Sequence, residues 1–345
     1  MVRRTVQYAL LIVSTLLHSE VTVMSYNVEN LFDDVYDGTE LPGYDPRGSR
    51  WSKADFEAKL EAIAEVIRRS VRGGADIIAL QEVENPNALE HLRTTLPRRL
   101  RYRYSVMLPK AGVSAGVAFL SRYPIERVHS LTVVGQEGVP TRDILEVEIV
   151  CSGKTLHILN NHWKSKREGV QETEPARLSA ACAITRRLRS IWSQDADADI
   201  LVMGDLNENV HEYMEGAARY QTALIPVDTP APDEYHACSL FIASNPALLG
   251  RYDRRVVLFE TWFEIPADDR GSYVYSGSWQ TLDHILLSRG LFDETGFSYV
   301  RDSFHVVRDT FLLASGTGYP KAWSFRPHNR GYSDHLPIVV TLQIW

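Results

Sequence analysis

The chain has 345 residues and a formal net charge of -7, and 44% of its residues are hydrophobic. This composition excludes a disordered chain, and it argues against a protein that binds nucleic acid mainly through an overall positive field. Nucleic acid remains open as a substrate, because an enzyme that brings metal cations to a phosphate needs positive charge only at its site.

The N-terminus has the composition of a secretory signal. Arg3 and Arg4 precede an apolar run at residues 9–17, which is too short to span a membrane. The alternative is a buried N-terminal strand or helix. We expect residues 1–19 to be a signal peptide, residues 20–345 to form the folded part, and the protein to be exported to the periplasm or the medium.

The first half of the chain predicts alternating strands and helices. Residues 21–27 alternate β-forming side chains and predict a strand that ends at Asn27. Residues 52–74 begin with a capping box, continue with apolar residues at helical spacing and end in two glycines, which predicts a helix. The wholly apolar run at residues 77–80 predicts a buried strand that ends near Glu82.

The middle of the chain continues this alternation. Residues 144–159 predict a hairpin that leads to His162, residues 174–192 predict a helix, and residues 200–203 predict a buried strand that leads to Asp205.

The last third gives a weaker pattern. Residues 210–279 predict only loops and short elements, and strands are expected at residues 281–287 and 336–344. We find no internal repeat and no linker.

The three cysteines, Cys151, Cys182 and Cys238, are widely spaced and include no C-x-x-C pair. Any single bridge would leave one cysteine over. We therefore expect three small buried side chains rather than a disulfide framework.

Four polar residues occupy equivalent positions in this pattern, because Asn27, Glu82, His162 and Asp205 each follow a predicted strand. In open α/β sheets, ligands bind at the carboxyl ends of strands. Each residue alone also has a purely structural explanation, such as a surface carboxylate, an Asx turn involving Asn207, or a satisfied core histidine. Together they predict one shared site.

Six short motifs, in this order, resemble the endonuclease/exonuclease/phosphatase superfamily, which includes deoxyribonuclease I, apurinic-site endonucleases, neutral sphingomyelinases and inositol-polyphosphate 5-phosphatases. They are SYNVEN at residues 25–30, LQEV at 80–83, NHWKS at 161–165, GDLN at 204–207, LDH at 282–284 and SDHLP at 333–337. The resemblance runs from residue 21 to the end. It implies one domain with an α/β four-layer sandwich, in which two mixed β-sheets pack face to face between outer helices.

The resemblance also implies a metal site formed by Asn27, Glu82 and Asp334. Oxygen ligands suit a hard cation far better than zinc, so Mg²⁺ is the first choice and Mn²⁺ the second. Such a cation neutralises the anionic phosphodiester, which otherwise resists attack by water.

The resemblance implies the following catalytic roles. His335 acts as a base or phosphate ligand, and Asp283 fixes its tautomer. Asp205 orients the attacking water or a metal ligand, and Asn207 binds a phosphate oxygen. His162 stabilises the pentacovalent phosphate or protonates the leaving group.

Differences within the motifs narrow the choice among branches of the superfamily. Inositol 5-phosphatases have Cys-Asp-Arg where this chain has LDH at residues 282–284, and apurinic-site endonucleases lack a histidine at the position of His162. The segments at residues 26–33 and 161–166, with Arg177 following, resemble bacterial predicted extracellular nucleases. We expect Lys164, Lys166 and Arg177 to bind substrate. Arg167 lies with the two lysines beside His162 and could also meet a flanking phosphate, although basic residues at this hairpin end can also simply face solvent.

Three functions remain open: a nuclease, a phosphodiesterase or phosphatase that acts on a phospholipid or another small molecule, and a catalytically silent binding module. The phospholipid case would place the substrate at a membrane surface. The last is disfavoured because no motif residue is missing. A lipid-directed enzyme needs an exposed apolar loop, for which Trp262, Phe263 and Trp279 are the candidates. The sequence indicates no obligate protein partner.

Overall fold

The computed structural model describes residues 19–48, 50–135, 141–215, 220–252, 254–326, 328 and 330–345. Apart from Ser19, which begins the first strand, the predicted signal peptide lies outside these residues. Among the helices in the described ranges, none has the length and apolar character needed to cross a membrane.

The strands of the described residues are β1 Ser19–Leu31, β2 Ile77–Val83, β3 Tyr104–Met107, β4 Gly116–Ser121, β5 Ile125–Leu131, β6 Ile144–Cys151, β7 Lys154–His162, β8 Ile200–Asp205, β9 Leu224–Pro226, β10 Leu240–Ala243, β11 Val257–Glu260, β12 Tyr273–Tyr275, β13 Ser278–Gln280, β14 Asp283–Leu287, β15 Phe297–Tyr299, β16 His305–Val306 and β17 Ile338–Ile344. The α-helices are α1 Lys53–Ser70, α2 Pro86–Thr95, α3 Val170–Trp192 and α4 Glu212–Glu215.

Most of these strands form two mixed sheets. Sheet A has the order β15-β17-β1-β2-β4-β3, with β16 also paired to β17, and sheet B has the order β5-β6-β7-β8-β14-β11-β10-β9. The pairs β1–β2 and β7–β8 are parallel, whereas β1–β17 and β8–β14 are antiparallel. The strands β12 and β13 form a separate hairpin.

The two faces of sheet A bury different hydrophobic clusters. Side chains of β1 on opposite faces belong to different clusters. Val21 and Val23 enter the cluster shared with sheet B, whereas Met24 and Tyr26 pack with α1 and α2. Strand side chains alternate between faces with a period of two, so an apolar strand covered on both sides supplies both cores. With α3 packed into the sheet B cluster, the predicted four-layer sandwich is confirmed.

The strongest local predictions are confirmed. Ser52 caps α1, its side chain accepts from the amide of Asp55, and the Asp55 carboxylate accepts from the amide of Ser52. The predicted hairpin is β6 with β7, and the weak region at residues 210–279 consists of elements of three to five residues.

The cysteine prediction is wrong for two of the three residues. Cys182 of α3 and Cys238 form a disulfide, and Cys151 is free and buried. The partners are 56 residues apart, and the packing of α3 beside β10 brings them together. Spacing along the sequence gives no sign of that contact.

Candidate active site

The site lies where β1 and β2 of sheet A and β7 and β8 of sheet B end and where β14 of sheet B begins. Backbone register places its residues side by side: His162 pairs with Asp205 between parallel strands, and Asp205 pairs with Asp283 between antiparallel strands. Three adjacent strands therefore present three polar side chains in one row.

Both parallel strands of sheet A have irregular register at this edge. The shift lies between Asn27 and Leu31 in β1 and around Glu82 in β2. Glu29, Asn30 and Glu82 have φ values of 53°, 62° and 66°. A non-glycine residue in this left-handed region costs about 1 kcal/mol or more, and bulges commonly redirect side chains at active sites.

Gly204 allows β7 and β8 to approach closely before Asp205. Its φ is 126°, and a Cβ at this position would collide with the backbone carbonyl oxygen of Asn161. Only glycine tolerates both the conformation and the contact.

Buried amides connect the sheets beneath the site. Gln81 donates to Asn160 Oδ1 at 2.7 Å, and Asn160 Nδ2 donates to the carbonyl oxygens of Leu80 and Ala118 at 3.0 and 2.9 Å. Buried polar groups favour one geometry when they are hydrogen-bonded, so these contacts align sheet A with sheet B.

Asn27 contacts the carboxylates of both sheets. Its Nδ2 lies 3.0 Å from Asp205 Oδ2 and 3.4 Å from Glu82 Oε1, while its Oδ1 accepts from the amide of Glu29 at 3.0 Å. In this arrangement Asn27 is a donor to two carboxylates, and its amide oxygen is engaged by the backbone. The predicted role as a metal ligand would require that oxygen to face the ion.

His335 and Asp283 form a buried pair, with Nδ1 of the ring 2.8 Å from Oδ2 of the carboxylate. Ser272 Oγ donates to the same oxygen, and the Tyr273 ring lies against the His335 ring with centroids 4.6 Å apart. Burial disfavours the charged ring, but the charge and hydrogen bond of Asp283 outweigh it and hold the pKa of His335 well above its ordinary value.

His162 lies in the opposite electrostatic environment. Its Nε2 is 3.7 Å from Glu82 Oε1 and 3.6 Å from Asp205 Oδ2, and its buried Nδ1 has no hydrogen-bond partner among the described residues. Burial, followed by the charge of Arg142, lowers the pKa of His162 well below its ordinary value. His162 is therefore neutral near pH 7, whereas His335 favours the imidazolium form.

Asp205 lies between the two histidines, with Oδ2 3.9 Å from His335 Nε2. Burial raises the pKa of Asp205 to about 7. Its Oδ1 accepts from the amide of Asn207 at 2.9 Å, which is an Asx turn, and Asn207 Nδ2 donates to the carbonyl of Trp163. The turn fixes both Asp205 and Asn207 at the end of β8.

Asp334 is held by Glu29, which was not among the predicted site residues. Glu29 Oε2 accepts from the amides of Asp334 and Trp323 at 2.9 and 2.7 Å. Burial and then the charge of Asp334 raise the pKa of Glu29 to about 7, and Glu82 adds to this effect. The three carboxylates therefore share one region. Glu29 lies within SYNVEN, so the motif itself was the available signal.

A buried lysine accompanies these carboxylates. Lys59 of α1 is fully buried, donates to the carbonyl of Tyr332 at 2.9 Å and lies 4.8 Å from the ring centroid of Trp323. Burial lowers the pKa of Lys59 to about 8 although Glu29 opposes the shift. On the sequence, Lys59 is simply one charged position in a helix.

The donor set fits a divalent cation. Ligand atoms of Asp205, Asp283 and His335 lie within 4.8 Å of one another, and Asp283 Oδ1 is buried without a hydrogen-bond partner among the described residues. Glu82 and Asp334 are partly exposed at the same edge. Because carboxylate oxygens in excess of nearby cations favour a hard metal ion, Glu82, Asp334 and Asp205 are the residues that could hold it.

A cavity of about 310 Å³ opens beside this edge, and its lining includes Glu82, Arg142, His162 and Lys164. Lys164 Nζ is 2.7 Å from Glu168 Oε1, and both residues line the cavity. Arg142 donates to the carbonyl of Ala115 at 3.1 Å, and burial lowers its pKa. Arg142 is in no motif, and only the fold brings it to the site.

Two predicted substrate contacts are not exposed in this cavity. Lys166 Nζ is paired with Glu212 Oε2 at 2.6 Å. Arg177 is fully buried, pairs with Glu174 at 2.5 Å and donates to the carbonyl of Lys164. The structure thus gives Arg177 a supporting role beneath Lys164, which is at odds with the expected contact to substrate.

The sequence profile of the endonuclease/exonuclease/phosphatase family matches residues 22–217 and 248–344. A search of curated proteins gave no significant match.

Solved structures share the fold. A family protein from Bacteroides thetaiotaomicron is 16% identical, with 95% of this chain and 96% of that chain covered and a TM-score of 0.57. D. rerio TDP2 complexed with a single-strand DNA product is 15% identical, with coverage of 94% and 99% and a TM-score of 0.52. Staphylococcus aureus beta toxin is 17% identical, with coverage of 93% and 99% and a TM-score of 0.50.

The fold and the gathered residues define a metal-dependent phosphoric ester hydrolase. The chain belongs to the endonuclease/exonuclease/phosphatase family.

Proposed function

We propose that the protein is a Mg²⁺-dependent nuclease that hydrolyses phosphodiester bonds of DNA or RNA, and that Mn²⁺ can replace Mg²⁺. The observation that carries this proposal is the cavity beside the carboxylates, which Arg142 and Lys164 line together with Glu82 and His162. Cations next to the reacting centre suit a substrate whose phosphates continue on either side of the scissile one.

The residues divide the chemistry among them. The bound cation would neutralise charge on the phosphate and is expected at Glu82 and Asp334. Asp205, whose pKa is raised to about 7 by burial, accepts a proton from the attacking water. His335, held by Asp283, donates a hydrogen bond to a phosphate oxygen, and neutral His162 contacts the leaving side.

An aromatic side chain beside the site favours a nucleic acid over a small phosphate ester. Tyr273 covers His335, and Tyr275 follows two positions later on the same strand with 61% of its surface exposed. Residues two apart on a strand share a face, so Tyr275 can stack on a base near the scissile phosphate. Exposed Arg167 adds positive charge that acts on His162.

The lipid alternative has less support. Trp262 is fully buried, and its Nε1 donates to the carbonyl of Asp283 at 2.8 Å. Phe263 packs against the core, and Arg308 lies 4.4 Å from the ring centroid of half-buried Trp279. The aromatic residues considered for entry into a bilayer are thus engaged within the protein.

The test is an assay of the purified protein with Mg²⁺ against plasmid DNA, RNA, sphingomyelin and a chromogenic phosphodiester. We expect cleavage of DNA or RNA, and a large drop for Arg142→Gln on polymers but a small one on the chromogenic ester. Hydrolysis of sphingomyelin with neither nucleic acid cut would contradict the proposal and favour the lipid alternative.

We also propose that the protein is exported. The disulfide between Cys182 and Cys238 supports this, because disulfides persist mainly in oxidising compartments.

A further inference from the structure

A second group of carboxylates lies outside the catalytic site, between the end of β1 and the end of β2. Residues 33–40, DDVYDGTE, follow β1 and form an acidic loop. Oxygen atoms of Asp37, Glu40 and Glu84 lie within 4.8 Å of one another. Glu84 follows β2, whereas the other two belong to the acidic loop, so the group joins two parts of the chain.

Glu84 has an oxygen with no partner in this group. The residue is only 4% exposed, and its Oε2 accepts from the amide of Asp33 at 2.8 Å and from Asn85 Nδ2 at 3.2 Å. Its Oε1 is buried and has no hydrogen-bond partner among the described residues. A buried carboxylate oxygen without a donor is costly unless a cation or water meets it.

No basic side chain of the described residues forms an ion pair with Asp37, Glu40 or Glu84. Arg47, which lies further along the same segment, pairs with Asp45 and lies over the Tyr36 ring. Protein cations therefore leave the three carboxylates unpaired.

The acidic loop is already folded around these oxygens. Asp37 Oδ1 accepts from the amide of Thr39, and Glu40 Oε2 accepts from the amide of Gly38. Asp33 is fully engaged by other donors, because its Oδ1 accepts from an amide and its Oδ2 accepts from Asn85 and Asn87. Asp33 therefore orients the loop, and the carboxylates of Asp37, Glu40 and Glu84 lie close to one another.

We propose that Asp37, Glu40 and Glu84 form a second divalent-cation site, separate from the catalytic one, and that it binds Ca²⁺. Carboxylates carried partly on an exposed loop suit Ca²⁺, which accepts six to eight oxygen ligands in flexible geometry, better than the strictly octahedral Mg²⁺. The bound ion ties the acidic loop to the residues that follow β2. Glu84 is two positions from Glu82, so the same ion also restricts the position of a carboxylate of the catalytic site.

The experiment measures the melting temperature of the full chain with EDTA and with about 10 mM Ca²⁺, well above the roughly millimolar affinity of weak extracellular sites. We expect Ca²⁺ to raise the melting temperature by about 3 °C or more. The rise should disappear in Asp37→Asn and in Glu40→Gln, both of which change exposed or half-buried side chains and so leave the fold intact.

Two control variants show whether the Ca²⁺-dependent rise in melting temperature comes from the proposed site. Asp34→Asn removes one charge from the same loop without removing a ligand, and Asp334→Asn removes a carboxylate of the catalytic site. Both variants should keep the Ca²⁺ response. A response that is absent from the wild type, survives Asp37→Asn and Glu40→Gln, or is lost equally in Asp34→Asn or in Asp334→Asn would overturn the proposal.

Discussion

His162 and His335 flank the same carboxylate, Asp205, yet their surroundings favour opposite charges. Nδ1 of His335 is hydrogen-bonded to the buried carboxylate of Asp283. Nδ1 of His162 has no partner among the described residues, and the positive charge of Arg142 lowers the pKa of that ring. Groups whose surroundings push their pKa values apart can perform different proton-transfer or binding tasks at one pH.

The pair of Asp283 and His335 predicts a non-additive set of variants. His335→Ala should lower kcat/KM by about 10²- to 10⁴-fold, because it removes the group that we propose to contact the phosphate. Asp283→Asn should cost less, since Asp283 acts through the ring at 2.8 Å. The double variant should be scarcely worse than His335→Ala, which kcat/KM for all four proteins on one substrate would show.

Circular dichroism of each variant is the control for folding in this series. If the two losses multiplied independently, Asp283 would have to contact the metal, the substrate or another group.

The carboxylates at the site predict dependence on a divalent metal. EDTA should abolish activity and Mg²⁺ or Mn²⁺ should restore it, because oxygen ligands such as Glu82 and Asp334 bind hard cations. Glu82→Gln should reduce turnover by several orders of magnitude at any Mg²⁺ concentration. Full activity after exhaustive chelation would exclude a metal-dependent mechanism.

At the scale of elements, an ion-pair group fastens α3 to sheet B. Glu146 of β6 is fully buried and accepts from Arg187 of α3 at 2.6 and 2.8 Å, and His157 of β7 lies 3.1 Å from it. Burial opposes ionisation of Glu146, but these hydrogen bonds outweigh it and lower its pKa from 4.5 to about 2.

Glu146→Gln should therefore destabilise the protein in a pH-dependent way. A carboxyl group whose pKa is lower in the folded state stabilises the fold above its unfolded pKa, and this contribution is lost as pH falls toward about 2. The free energy of unfolding should fall by about 2 kcal/mol at neutral pH, and the difference from wild type should shrink below about pH 4.5.

Urea unfolding at a series of pH values measures this difference. Glu148→Gln on the same strand is the matched control, because its ion pairs are longer, at 3.5 and 3.6 Å. A Glu146→Gln difference that stayed constant from neutral pH to pH 3 would contradict the assigned role of Glu146.

The elements also show how far the sequence predicts this structure. Buried strands such as β2 and β8 are short apolar runs that end in a polar residue, so both their identity and their position at the site could be predicted. The strands β9, β10 and β11 have only three or four residues, and partners remote in sequence stabilise them. Periodicity over so few residues carries no signal.

Individual charges were harder to predict than elements. Arg177 follows Glu174 at a spacing of three, which on a helix means contact but does not tell whether the pair is buried. Arg142 reaches the cavity only because β6 begins beside the site. Whether a charged side chain is buried, and which side chains meet in space, depends on how the layers pack. Local sequence does not show this.

At the scale of the whole molecule, export predicts the N-terminus of the mature protein. If a signal peptidase removes the leader, N-terminal sequencing of the protein from its native cell should begin near residue 20. The first strand begins at Ser19, opposite Ile344, so cleavage there leaves nearly all of β1 in place. An intact Met1 on the mature protein would refute export through this leader.

The candidate catalytic residues come from both sheets, since Asn27 and Glu82 belong to sheet A and His162 and Asp205 to sheet B. Neither sheet alone carries the complete site, and the Gln81–Asn160 hydrogen bond lies directly beneath the junction of the two sheets. A molecule whose sheets separate would therefore be silent even if every strand kept its neighbours. Turnover therefore measures the fraction of molecules in which the two sheets are packed together. It should fall when that packing is lost, before any spectroscopic measure of strand content changes.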